Sequence, residues 1–121
     1  MRIAVCENRQ EAAEQLRGWI AQYCALYHIQ AVIQCFLTPE EFAGREAPFD
    51  IVFMGFGGST GFFQARLLRE QDGKCRIIFV DDTQEYTVRC VRIHCTDFIL
   101  RPVEFPKVVR SMHLGLGGGF K

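Results

Sequence analysis

The 121-residue sequence predicts an α/β fold, a three-layer domain in which helices cover both faces of a parallel sheet. Two observations predict it. Short apolar runs alternate five times with longer segments of helical periodicity. The middle run, residues 49–54, is apolar at nearly every position, which is typical of a strand buried on both faces. Five βα units joined by right-handed crossovers form a doubly wound (βα)5 domain.

Cap residues and periodicity predict the first two units. Residues 2–6 form the first strand, and Asn8-Arg9-Gln10-Glu11 resembles a capping box that opens the first helix. Residues 30–36 form the second strand, and Thr38 and Pro39 mark the start of a short second helix. The first helix is expected to bury one face, made of Ala12, Leu16, Trp19, Ile20, Tyr23 and Tyr27.

The remaining units follow from apolar runs and turn residues. A glycine-rich turn from Gly55 to Gly61 leads from the third strand to the third helix, which carries Phe63, Leu67 and Leu68. The other predicted elements are strands at residues 49–54, 75–80 and 97–100, a fourth helix at 84–94, and a last helix that begins between Pro102 and Pro106. The domain is predicted to span residues 1–114, followed by a glycine-rich tail or linker at 115–121.

The predicted strand order is 2-1-3-4-5. The middle strands are apolar on both faces, whereas residues 30–36 alternate as an edge strand does. In such sheets, ligands bind at the carboxyl ends of the strands. The candidate site residues are therefore Glu7, Asn8, Gly55, Asp81, Asp82 and Arg101.

Composition argues against several classes of function. Lys plus Arg and Asp plus Glu number 14 each, so no excess positive charge is present to bind a nucleic-acid backbone. The chain begins directly with a strand and without an apolar leader, which predicts a cytoplasmic protein with no membrane segment. The six cysteines contain no C-x-x-C pair and are expected to be small buried hydrophobes. The three histidines form no metal-ligand cluster in sequence.

Five segments stand in a fixed order along the chain: Ile3-Ala4-Val5-Cys6-Glu7, Phe49-Asp50-Ile51-Val52-Phe53-Met54, Ile77-Ile78-Phe79-Val80, Gln84-Glu85-Tyr86 and Asp97-Phe98-Ile99-Leu100-Arg101-Pro102-Val103-Glu104. Together they resemble the CheY-like receiver domains of bacterial response regulators, most closely those of LytTR-type transcriptional regulators. The resemblance covers essentially the whole chain. It implies a flavodoxin-like fold and a role in two-component signalling and transcription regulation.

The same resemblance implies that the phosphorylation site is degenerate. Receivers carry an acid pair for Mg²⁺, an aspartate that accepts phosphate, a Ser or Thr, and a Lys. Here the acid pair is Glu7 and Asn8, the acceptor position is Gly55, the hydroxyl position is Asp81, and the lysine position is Arg101. Glycine has no nucleophile, and only Glu7 remains of the magnesium ligands. The resemblance thus predicts a non-enzymatic pseudo-receiver with no catalytic residue and weak or absent Mg²⁺ binding.

Each altered residue also has a simpler structural role. Asn8 is expected to be the N-cap of the first helix. Asp81 and Asp82 are expected to be a helix cap and a solvated charge. Arg101 cannot lose its charge, so it should pair with Asp81 or Glu7 inside the pocket.

Signalling without phosphate requires contacts with a protein partner or with a second copy of the chain. Receivers commonly form dimers through helix 4, strand 5 and helix 5. In this chain that surface combines apolar and arginine side chains, as interfaces do. Its expected members are Tyr86, Arg89, Val91, Arg92, Phe98, Val103 and Val108. Phe98 lies at the position where receivers carry a switch aromatic, and without phosphate it is expected to stay fixed.

Two alternative functions remain open. The Gly55–Gly61 loop, between a strand and a helix, is a candidate for binding an anion or a nucleotide. It lacks the P-loop lysine, and Thr60 stands where the dinucleotide-binding motif needs glycine. The other alternative is an active receiver whose acceptor has moved to Asp81 or Asp82. Nucleotide titration and mass spectrometry with a phosphodonor would separate these functions.

Overall fold

A computed structural model describes residues 1–117 of the chain. Within them strands and helices alternate in five βα units, as predicted. The strands are β1 (Arg2–Glu7), β2 (Val32–Phe36), β3 (Ile51–Gly55), β4 (Arg76–Asp81) and β5 (Asp97–Leu100). The helices are α1 (Gln10–Leu26), α2 (Pro39–Ala43), α3 (Gly58–Gln71), α4 (Thr87–Arg92) and α5 (Phe105–Gly115).

The five strands form one parallel sheet in the order β2-β1-β3-β4-β5. This confirms the flavodoxin-like topology and the predicted strand order. Val5 of β1 lies opposite Cys35 on one side and Phe53 on the other. All five residues of β3 are buried, whereas exposed and half-buried residues alternate along most of β2. The sheet therefore places the carboxyl ends of β1, β3, β4 and β5 side by side.

Helices cover both faces of the sheet with apolar side chains. Helices α1 and α5 supply one core cluster, which includes Leu16, Ile20 and Met112. Helices α2, α3 and α4 supply the other, which includes Phe42 and Leu68. The strands carry side chains into both clusters alternately, because successive residues of a strand point to opposite faces. The sheet thus separates two apolar clusters, one on each face.

Helix α1 starts later than predicted. It begins at Gln10 with Arg9 as N-cap, and no side chain caps it, so the predicted capping box is absent. Its buried residues are Ala13, Leu16, Ile20, Tyr23 and Cys24. Tyr27, which was expected to be buried, is 50% exposed because the helix ends at Leu26 and Tyr27 follows as its C-cap.

Helix α2 starts where its cap residues predict. Thr38 is the N-cap, and its Oγ1 accepts a hydrogen bond of 3.1 Å from the amide of Glu41. The carboxylate of Glu41 in turn accepts a bond of 2.7 Å from the amide of Leu37. Pro39 occupies the first turn, where it needs no hydrogen-bond partner. This helix start is therefore confirmed.

Other boundaries differ from the prediction. Strand β2 begins at Val32, and α4 is confined to Thr87–Arg92 because turns precede and follow it. Helix α5 continues through Gly115, one residue into the predicted tail, and Leu116 packs against the core. Positions 118–121 of that tail lie outside the described residues. Within residues 1–117, no helix is long and apolar enough to span a lipid bilayer.

Candidate functional site

The carboxyl ends of four strands bring most of the predicted site residues together. Glu7 ends β1 and Gly55 ends β3, and these two residues are paired in the sheet. Asp81 ends β4, and Arg101 directly follows β5. Glu7 and Asp81 are each only 4% exposed. Parallel strands therefore place two buried acidic residues and one arginine at the same edge of the sheet.

Arg101 occupies the centre of this site. Its Nη2 donates to the Oε2 of Glu7 and, over 2.8 Å, to the carbonyl oxygen of Gly55. Its Nη1 is 3.4 Å from Oδ1 of Asp82 at the rim. The arginine side chain is 17% exposed and that of Glu7 is 5% exposed, so their ion pair is largely removed from water. The predicted pairing with Glu7 is confirmed, whereas Asp81 is not a partner of the guanidinium.

Gly55 is required by the close approach of these groups. A Cβ atom at this position would lie 2.8 Å from the carbonyl oxygen of Cys6, a backbone atom of the neighbouring strand. It would also lie 3.0 Å from Oε2 of Glu7 and 3.1 Å from Nη2 of Arg101. Real Cβ atoms do not approach other atoms to 2.8 Å, so a side chain here requires the backbone and the ion pair to move. The position therefore has neither a nucleophilic side chain nor space for one.

Asp81 points toward a different element from the one predicted. Its Oδ1 accepts hydrogen bonds from the amides of Gly58, at 3.2 Å, and Asp82, at 2.8 Å. Asp81 thus caps the start of α3. The prediction that Asp81 or Asp82 caps the helix that follows them, α4, was wrong, because the N-cap of α4 is Tyr86. The Oδ2 of Asp81 is buried and has no hydrogen-bond partner. Asp82 is a solvated charge, with a side chain that is 75% exposed.

Asn8 connects two loops and does not cap a helix. Its Nδ2 donates a hydrogen bond of 2.9 Å to the carbonyl oxygen of Phe56. The predicted N-cap role is therefore wrong, because Arg9 separates Asn8 from the first residue of α1. This bond ties the β1–α1 connection to the β3–α3 connection, across 48 residues of sequence. Such a partner cannot be identified from sequence spacing.

The glycine-rich segment is mostly helical. Only Phe56 and Gly57 separate β3 from α3, and Gly58 is already the first helical residue. Phe56 is 5% exposed and anchors the turn in the core. Gly57 has φ +87° and ψ 148°, a conformation that essentially only glycine adopts. At the N-terminus of α3, the place that an anion would take is occupied by the Asp81 carboxylate.

The expected contact face is only partly at the surface. Phe98 is half-buried, with its ring centroid 5.7 Å from that of Phe79. Tyr86 and Val108 are buried in the two core clusters, so their assignment to a contact surface was wrong. Tyr86 precedes α4 as its N-cap, and Val108 lies on the buried face of α5. Of the expected members, Arg89, Arg92, Val103 and Val91 are at least partly at the surface, and Val91 is 71% exposed. Val88, which the sequence analysis did not include, is 64% exposed.

The described residues contain no preformed metal centre. Across residues 1–117, no three histidine, cysteine, aspartate or glutamate side chains are grouped so that they could hold an ion. The cysteines are free thiols, and four of them, Cys6, Cys24, Cys75 and Cys90, are buried. Burial raises the pKa of Cys6 well above its ordinary value, and the neighbouring carboxylate of Glu7 acts in the same direction. The burial of these four agrees with the expectation, whereas Cys35 and Cys95 are only half-buried.

Comparison with known proteins identifies the fold. No protein-family model and no curated protein matches the sequence. Among solved structures, the non-phosphorylated receiver domain of HemR from Leptospira biflexa aligns with a TM-score of 0.80 at 16% identity, over 99% of this chain and 97% of that one. The response regulatory domain of mrkE from Klebsiella pneumoniae aligns with a TM-score of 0.78 at 18% identity, over 93% and 92% of the two chains.

A third similar structure is the signal receiver domain of the DNA-binding response regulator merR from Colwellia psychrerythraea 34H. It aligns with a TM-score of 0.79 at 16% identity, over 93% of this chain and 94% of that one. Similarity at this level of identity is a similarity of fold. The chain therefore has the fold of the response-regulator receiver domains.

Proposed function

We propose that this chain is a pseudo-receiver, a signalling domain of a bacterial two-component response regulator that is not phosphorylated and acts through protein contacts. One observation carries the proposal. The guanidinium of Arg101 binds both Glu7 and the carbonyl of Gly55, at the position where a receiver would hold its acceptor and metal. The pocket is therefore closed by an internal ion pair.

The chemistry of aspartyl phosphorylation has no basis in these residues. The reaction needs a carboxylate that attacks phosphorus and a Mg²⁺ that neutralises the developing charge. Gly55 offers no carboxylate, and Glu7, the retained acid, is bound to a permanent cation. Mg²⁺ requires several oxygen ligands in octahedral geometry, and here the guanidinium competes for two of the nearest oxygens. The residues at the site do not fit a magnesium ion.

The proposed output is a contact surface on α4, β5 and α5. Val88 and Val91 are exposed and are flanked by Arg89 and Arg92, a mixture that is common in protein interfaces. The partner is a second copy of the chain or a DNA-binding output domain of the LytTR type. The balanced charge of the chain argues against direct contact with nucleic acid, and we place the domain in the cytoplasm.

The site geometry disfavours the two alternatives. An anion or nucleotide at the N-terminus of α3 would be repelled by the negative charge of Asp81, which already accepts a hydrogen bond from the amide of Gly58. A relocated acceptor at Asp81 would have to react from a position that is 4% exposed. Asp82 is open to solvent, but within residues 1–117 it belongs to no group of three side chains that could hold a metal ion.

Intact-mass spectrometry after incubation with acetyl phosphate and Mg²⁺ tests this function. We expect no phosphate on the wild-type chain and none on Gly55→Asp, because Asn8, Asp81 and Arg101 still oppose the metal and the phosphate. The combined variant Asn8→Asp, Gly55→Asp, Asp81→Thr and Arg101→Lys should gain phosphate. Circular dichroism on each variant checks that it is folded. One stoichiometric phosphate on the wild type or on Gly55→Asp would contradict the proposal.

A further inference from the structure

Two cysteines meet at the C-terminal end of α4. The helix ends in a Schellman motif: the amide of Cys95 donates to the carbonyl of Cys90, and the amide of His94 donates to that of Val91, both over 3.0 Å. His94 adopts the left-handed conformation, with φ +59°, that this motif requires. The motif brings the third-last helical residue into contact with the second residue after the cap. In α4 these two residues are Cys90 and Cys95.

The two thiols differ in exposure and in pKa. Cys90 is 2% exposed, and Cys95 is half-buried against the same core cluster, so Cys95 is the more accessible of the two. The interaction with Cys95 lowers the pKa of Cys90, whereas the interaction with Cys90, together with burial, raises the pKa of Cys95. Cys90 is therefore the thiol of the pair that loses its proton first.

Arg69 of α3 holds the segment between the two thiols. Its Nε donates to the carbonyl of Ile93 over 2.9 Å, and its Nη2 donates to the carbonyl of His94 over 3.0 Å. The turn is therefore tied to a neighbouring helix, which holds the backbone between the two cysteines in place.

We propose that Cys90 and Cys95 are a redox pair, which hydroperoxides oxidise to an intramolecular disulfide at the end of α4. A thiolate of the pair attacks a peroxide oxygen, the O–O bond breaks, and a sulfenic acid and one molecule of water or alcohol form. The second sulfur attacks the sulfenic sulfur, the S–S bond forms, and the hydroxyl leaves as water with the remaining thiol proton. The dithiol loses two electrons and two protons, and a small thiol reductant reverses the reaction.

Helix α1 provides an internal comparison. It ends in the same motif, in which the amide of Ile29 donates to the carbonyl of Cys24 over 2.8 Å and His28 has φ +57°. Here the partner of the cysteine is an isoleucine, and burial raises the pKa of Cys24. Cys24 thus has the backbone geometry of Cys90 without a second thiol. It is the matched control for the proposed pair.

The experiment treats the full chain with hydrogen peroxide and then counts free thiols after denaturation. We expect the wild type to lose two of its six thiols and the mass of two hydrogen atoms, and dithiothreitol should restore both. Peptide mapping should find the cross-link between Cys90 and Cys95. Cys24→Ser should behave like the wild type, whereas Cys90→Ser and Cys95→Ser should form no intramolecular disulfide. Ile29→Cys should gain a second disulfide, because the motif supplies its geometry.

Hydrogen exchange of the oxidised chain gives a second measurement. The disulfide should slow exchange at residues 93–96, because it fixes the last turn of α4 against the start of β5. Retention of all six thiols in peroxide, or a cross-link that involves another cysteine, would overturn the proposal. These results do not depend on whether the chain accepts phosphate, so the two proposals can fail separately.

Discussion

At the scale of single residues, the ion pair of Arg101 and Glu7 determines what the site can do. Both side chains are largely buried, and the same guanidinium also satisfies the carbonyl of Gly55. Breaking a buried pair by removing one partner is costly, because the other charge is left without compensation. Replacing both partners together avoids that cost.

We therefore expect Arg101→Met to lower the free energy of unfolding by about 3–5 kcal/mol, because Glu7 would remain charged and buried. The double variant Arg101→Met with Glu7→Gln should recover more than half of this loss. Urea unfolding of the wild type, both single variants and the double variant completes a double-mutant cycle. A double variant no more stable than Arg101→Met would show that the pair is not the source of the effect.

A second residue-scale prediction concerns alkaline pH. Burial raises the pKa of Cys75 from 9.0 to about 12. The folded chain therefore keeps this proton at a pH where the unfolded chain has lost it, and stability is complete below pH 9 and falls as pH rises toward 12. This thiol should contribute a loss of roughly 1.4 kcal/mol per pH unit in that window.

Urea unfolding at several pH values between 8 and 11 measures this slope, and Cys75→Ala should make it shallower by about that amount. Cys6→Ala offers a comparison, because burial also raises the pKa of that thiol. Equal slopes for the wild type and Cys75→Ala would contradict the assignment to Cys75.

At the scale of elements, the turn between β3 and α3 shows how one backbone conformation positions the site. Gly57 combines φ +87° with ψ 148° and directs the chain so that the amide of Gly58 faces Asp81. A Cβ at Gly57 would lie 3.7 Å from Oδ1 of Asp81, an ordinary contact. The constraint therefore comes from the backbone dihedral angles and not from lack of space.

We expect Gly57→Ala to reduce stability by about 1–3 kcal/mol, the cost of holding a non-glycine residue in this region of backbone space. Gly73→Ala is the control, because Gly73 has no positive φ and open space around its Cα. It should change stability by less than about 1 kcal/mol. Thermal or urea unfolding compares the two variants. Equal effects at both positions would show that the Gly57 conformation is not strained for alanine.

At the scale of the whole molecule, the described surface carries its most exposed apolar side chains on α4. Val91 is 71% exposed and Val88 is 64% exposed. The formal net charge of the chain is zero, so electrostatic repulsion between copies is weak. Both features favour self-association through the proposed contact surface.

We expect weak, concentration-dependent dimerisation of the chain and its loss in Val91→Glu, which places a charge at the centre of that surface. Phe63→Glu is the matched control, because Phe63 of α3 is 50% exposed but lies outside α4, β5 and α5. Static light scattering over a range of protein concentrations measures the average mass. A strictly monomeric wild type at high concentration would count against the prediction.

Secondary structure and topology were largely determined by the sequence alone. Apolar runs, the Thr38 cap and the Pro39 turn act over a few residues, so their pattern predicts the five units and the edge position of β2. The absence of a nucleophilic side chain at Gly55 is likewise a property of one residue. The resemblance predicted that Arg101 pairs with Asp81 or Glu7, because strand order fixes which strand ends are neighbours, and the structure shows the pair with Glu7.

Only the tertiary structure decided how the site is closed. Asn8 binds the carbonyl of Phe56, and Asp81 caps α3, across 48 and 23 residues of sequence respectively. Local propensity instead favoured a cap at the nearest helix in both cases, and both predictions were wrong. Short polar side chains bind whichever backbone group the fold presents to them, and parallel strands present groups that are distant in sequence. For that reason, the partners of these side chains depend on the packing of the whole sheet.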